Sequence, residues 1–181
     1  GQSPNPVLTG NYAYLDSDDY GTGNSQNADL ITPTIDMSSY SAVNLQFSHY
    51  FKSYSGSSGT VSYSINNGST WTVIQSFTAS SATNPAVFNQ AIAAAAGQSA
   101  VKFKWNYTGT WGYYWGIDDV QVNATCIPVP VGVSIAASAN PVNQGTAVTF
   151  TATPVNGGST PAYQWRVNGM AAAGATNATY A

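Results

Sequence analysis

The chain has 181 residues, a net charge of −3 and only 6% charged side chains, against about 25% in ordinary soluble domains. That length suits one large all-β domain, or one domain and part of another. Four Lys and Arg in all argue against nucleic acid and anionic membrane as partners, and no apolar run approaches the ~20 residues of a membrane span, so membrane insertion is not expected. Aromatics at 13%, with regular β-branched alternation, argue against disorder. Ser, Thr, Asn, Gly and Tyr take the place of the missing charges, the composition of a secreted or cell-surface protein. The start, GQSPNPVLTG, has neither an initiator Met nor a signal-type apolar region, so a piece of something longer is expected.

Strand signals dominate in chain order. NYAYL (11–15), NLQFSHYF (44–51), TVSYSI (60–65), WTVIQSF (71–77), AVKFKWNY (100–107) and YYWGIDDVQV (113–122) alternate or carry β-branched and aromatic residues. Between the third and fourth, Asn67-Gly68 supplies the positive φ of a tight hairpin turn. NQAIAAAAGQ (89–98) is Ala-rich but too short to stand as a helix, and it ends at Gly97: one turn, or a loop. The pattern then breaks at NATCIPVPVG. Residues 1–125 are expected to form one domain, 126–131 a linker, and 132–181 an incomplete second one. In the latter, VGVSIAAS, TAVTFTATP and PAYQWRVNG read as the first three strands of an immunoglobulin-like sandwich with Trp165 in its core. Cys126 has no partner within the chain; it is either an inert thiol or pairs with a cysteine elsewhere.

Residues 10–123 resemble a known pattern. AYLDSDDYG, NADLITPTIDMSSYSAVNLQFSHYF, GTVSYSINNGSTWTVI and VKFKWNYTGTWGYYWGIDDVQV resemble, in the family's order, the MAM-like jelly-roll modules of secreted bacterial proteins. These include the cleaved-adhesin and choice-of-anchor modules. Residues 131–181 resemble the Ig-like or PKD-like repeats of large bacterial surface proteins. The resemblance implies a two-sheet jelly roll, a structural calcium, and adhesion or accessory binding.

Five of the seven acidic residues, all of them Asp, fall in two clusters: Asp16, Asp18 and Asp19, and Asp118 with Asp119. First and last strands of an antiparallel sandwich are commonly neighbours, so the clusters are expected to meet around a cation. Calcium fits best, since it takes six to eight oxygen ligands with loose geometry. Alternation lets only one of Asp118 and Asp119 point inward; Asp119 is favoured, with a bulge or strand end to free it from the core. The expected metal ligands are therefore Asp16, Asp18, Asp19 and Asp119.

Most strand aromatics, Trp71, Trp105 and Trp115 among them, are expected in the core. Tyr54, between serines, and Trp111, between Thr110 and Gly112, lie in loop-like sequence and are the candidate ligand contacts. Catalysis is not expected. Glu is absent, no Ser sits on a nucleophile elbow, and His49 is embedded in LQFSHYF without an acidic neighbour. Two functions fit: a module that binds a glycan or surface protein, or a spacer in an adhesin or filament. In either case the incomplete second domain is expected to need neighbouring Ig-like repeats of the same or another chain.

Overall fold

The computed structural model describes residues 8–19, 21 and 23–181. It is all-β, and it divides into two compact units, Gly1–Ile127 and Pro128–Ala181.

Among its described residues the first unit holds eight strands: β1 (Ala13–Asp16), β2 (Ser25–Ile31), β3 (Tyr40–Phe51), β4 (Ser58–Ser64), β5 (Thr72–Phe77), β6 (Ala86–Ala91), β7 (Lys102–Thr110) and β8 (Tyr114–Cys126). They form two antiparallel four-stranded sheets, ordered β1-β8-β3-β6 and β2-β7-β4-β5. This order, with first and last strands adjacent, is that of a jelly roll. Alternation explains which side chains close it. β3 turns Val43, Leu45, Phe47, His49 and Phe51 inward and Asn44, Gln46, Ser48 and Tyr50 outward, while β7 turns in Phe103, Trp105 and Tyr107. Trp115 and Ile117 of β8 complete the core.

Two of these strands were not marked by alternation of apolar residues. β2 reads SQNADLI and β6 reads AVFNQA, polar or short segments that are strands because β7 and β3 supply their hydrogen-bonding partners. The Ala-rich stretch contributes the end of β6 and one 3₁₀ turn, Ala93–Ala95, with Gly97 at φ 74° just beyond it. The β4–β5 connection does use Asn67 at φ 58° and Gly68 at φ 91°, but in a longer loop. Ser64 Oγ accepts the Gly68 N–H at 2.8 Å, and Asn66 Oδ1 accepts the Thr70 N–H at 2.9 Å.

The second unit has a three-stranded sheet ordered β13-β10-β9, made of β9 (Gly132–Ala137), β10 (Phe150–Val155) and β13 (Thr179–Tyr180). A short hairpin accompanies it, β11 (Arg166–Val167) with β12 (Met170–Ala171). The expected third strand thus shrinks to two residues. Trp165 packs against Phe150 and stacks on Tyr180, and its Nε1–H donates to the Asn177 carbonyl at 2.9 Å. Among the described residues of this unit only Ala152 is buried. Val133 and Ile135 remain 62% and 59% exposed beside a cleft of about 410 Å³.

Candidate functional site

The register places four connections at one end of the jelly roll. Asp16 ends β1 opposite Tyr114 at the start of β8, Phe51 ends β3 opposite Trp115, Phe77 ends β5 opposite Gly59 near the start of β4, and Ser25 starts β2 opposite Thr110 at the end of β7. Residues 17–19, 52–57, 78–85 and 111–113 therefore emerge side by side, and both candidate ligand residues belong to these segments.

A buried polar brace ties these loops together. Ser17 is fully buried; its Oγ–H donates to the Gly112 carbonyl at 3.0 Å and its N–H to the Tyr113 carbonyl at 3.3 Å. The Tyr107 hydroxyl donates to the same Tyr113 carbonyl at 2.7 Å and stands 3.0 Å from Ser17 Oγ. Burial pushes the Tyr107 phenol pKa up, holding it neutral as a donor. In loop 52–57 the Ser57 N–H donates to the Tyr54 carbonyl and Ser57 Oγ accepts the Tyr54 N–H, each at 3.1 Å. Ser55 and Gly56 turn the chain there with φ of 36° and 78°. The two loops then interlock at Gly112, where a Cβ would lie 2.6 Å from Ser57 Cβ. Only glycine allows this approach.

On this brace stands an aromatic surface. Tyr54 and Trp111 are 52% and 49% exposed. Tyr54 packs on Tyr113 with ring centroids 5.1 Å apart, and Lys52 Nζ lies 4.4 Å from the Tyr113 centroid, a cation–π contact. Trp111 is held at φ 56°, a left-handed conformation that a bulky residue adopts only when its surroundings impose it. The sequence marks Tyr113 as one of the aromatics able to stack on a ligand, and Lys52 lies in the same loop-like stretch as Tyr54. A buried Ser17 has no sequence signature.

The acidic residues are arranged differently from expectation. β1 and β8 are neighbours, but their register sets Asp16 against Tyr114, with Ala13 already opposite Ile117. Asp118 and Asp119 follow beyond, roughly 13 Å or more along the strand from Asp16. The anticipated bulge is present: the β3–β8 pairing shifts between Gln46 and Ser48. It turns Asp119 outward, exposed at φ 50°, with its N–H donating to Asp118 Oδ1 at 2.8 Å. At the other end Asp16 is buried. Its Oδ1 accepts the Asp18 N–H at 2.8 Å and its Oδ2 the Tyr14 hydroxyl at 3.1 Å. Burial first, then the Asp16 charge, pushes the Tyr14 phenol pKa up. No group of three carboxylate, imidazole or thiol side chains able to share a metal ion occurs among the described residues. The expected calcium set of Asp16, Asp18, Asp19 and Asp119 is thus corrected: Asp119 is not brought to the other three. The carboxylate that lies deepest, Asp16, is bonded within its own loop.

Two further residues lie away from the loops. His49 is between the sheets, its ring against Phe77 and Phe47, and its Nδ1 accepts the Trp115 Nε1–H at 3.4 Å. Burial lowers its pKa to about 4. Trp105 and Trp115 are core, as anticipated, but Trp71 is not. It sits half-buried after the β4–β5 loop with Lys104 Nζ 4.7 Å from its ring centroid, and Lys104 in turn reaches Asp29 at 3.7 Å.

The fold defines a two-sheet β-sandwich domain. Residues 20–123, more than half the chain, match the family model Reelin subrepeat B, and the chain belongs to that family. No curated protein matches the chain. No described helix is long and apolar enough to cross a membrane.

Proposed function

We propose that the first unit is a non-catalytic recognition module of a secreted or cell-surface protein, taking a glycan or surface protein at the four-loop end. The observation that carries this reading is the pairing of exposed aromatics with a rigid base. Tyr54 and Trp111 project from loops cross-braced by buried Ser17, Ser57 and Tyr107. Aromatic side chains so held offer a large contact area at little cost in conformational entropy. The membership in an extracellular-type family and the MAM-like resemblance of the same segment support the location and an adhesive or accessory role.

Glycan and protein arrays probed with the whole chain test the proposal, with Trp111→Ala as the matched control. Binding that Trp111→Ala abolishes supports it; absence of any ligand on either array, or binding indifferent to both Tyr54→Ala and Trp111→Ala, refutes it. A spacer with no ligand of its own is the second reading, favoured by the tandem of two β units in one chain.

A further inference from the structure

Edge strands are where a β-sandwich presents unpaired backbone to other chains. β1 and β6 end one sheet, β2 and β5 the other. Three of the four are guarded: β1 ends in Asp16, β2 carries Asp29, and β5 is itself bulged at Ile74, between the pairs Val61↔Gln75 and Ser62↔Val73. β6 has none of these features. AVFNQA pairs with β3 without interruption from Asn44↔Ala91 to His49↔Ala86, and no charged residue occurs from Thr72 to Ala94.

The register gives the direction of its free groups. The Ile92 N–H donates to the Val43 carbonyl at 2.9 Å, which makes that a hydrogen-bonded pair; by alternation Gln90, Phe88 and Ala86 also bond to β3. The N–H and C=O groups of Val87, Asn89 and Ala91 therefore point away from the sheet. We propose that this edge pairs antiparallel with the same edge of a second copy of the chain, about a two-fold axis through Asn89. In that register Val87 stands opposite Ala91 of the second copy and Asn89 opposite its counterpart. Each of these pairs has both outward N–H and both outward C=O groups available to exchange bonds.

The side chains agree with the symmetry. Val87, 64% exposed on the outer face, gains an alanine neighbour; the two Asn89 residues face one another across the axis, each side chain held by its own Asn44, whose Nδ2–H donates to Asn89 Oδ1 at 2.6 Å; and no like charges face one another. An isologous contact of this kind closes at two copies instead of growing into a fibre, and joins two four-stranded sheets into one. A single strand pair buries less than the ~1,200 Å² of a standard interface, so the dimer is weak, with a dissociation constant of roughly 10 µM to 1 mM. This inference does not depend on the loop-end reading.

Sedimentation equilibrium of the whole chain up to about 1 mM tests it. Wild type should show a monomer–dimer equilibrium. Asn89→Lys places two cations on the axis and should weaken it at least tenfold, as should Asn89→Asp. An equimolar mixture of the two variants should recover a one-to-one dimer, and Val87→Lys, at an exposed position, should weaken association independently. Circular dichroism checks that each variant is folded. A wild type that stays monomeric at the highest concentration overturns the proposal. So does a dimer unaffected by Asn89→Lys and Val87→Lys, or a mixture that associates no better than its components.

Discussion

Mild acid should destabilise the first unit through one residue. His49 is enclosed by Phe47, Phe77 and Trp115, and burial lowers its pKa from 6.5 to about 4. Above pH 6.5 the imidazole is neutral in both folded and unfolded chains and contributes no pH dependence. As pH falls below 6.5 the unfolded chain takes up the proton first, so stability declines until about pH 4 and then levels off. The shift corresponds to about 3 kcal/mol in full, and to about 2 kcal/mol at pH 5. For a domain of this size, that predicts a melting temperature about 8 °C lower at pH 5 than at pH 7. No second imidazole shares the window, because His49 is the sole histidine. Thermal unfolding followed by near-ultraviolet circular dichroism at constant ionic strength is the assay. His49→Gln, which can still accept the Trp115 Nε1–H, should flatten the dependence between pH 7 and 5. A wild-type melting temperature constant within about 1 °C across that range, or a slope that survives His49→Gln, would refute the reasoning.

Other expectations separate surface from scaffold. Trp115→Ala should cost about 3–5 kcal/mol as a core truncation, whereas Trp111→Ala should change stability by under about 0.5 kcal/mol while weakening binding; denaturant melts read both. Gly112→Ala forces a Cβ to within 2.6 Å of Ser57 Cβ, and the loop distortion should cost about 1–3 kcal/mol and reduce ligand binding with it; a variant as stable as wild type would show that the loops are not interlocked. Residues 128–181 expressed alone should give no cooperative unfolding transition, since Ala152 is the one buried residue described there; a sharp calorimetric peak would contradict this.

Alternation and turn chemistry sufficed for much of the architecture. The period-two pattern of β3, β7 and β8 defined an all-β protein and sent Phe47, Trp105 and Trp115 inward. Asn67-Gly68 marked a turn, and the small polar neighbours of Tyr54 and Trp111 marked loops. These are local properties, fixed by the pleat and by φ preferences within a few residues. Tertiary structure alone decided the rest, because it depends on register between segments about a hundred residues apart. Adjacency of the first and last strands was foreseeable, but one cannot read from sequence that Asp16 meets Tyr114 and not Asp118. Nor can one read that a bulge turns Asp119 to solvent. β2 and β6 became strands because β7 and β3 offered them hydrogen bonds, against weak propensities of their own. Trp71 found a lysine outside the sandwich instead of a place within it. Ser17 became the centre of the loop brace because pairing carried it under Gly112, where an unbonded hydroxyl would be costly and a bonded one locks two loops together.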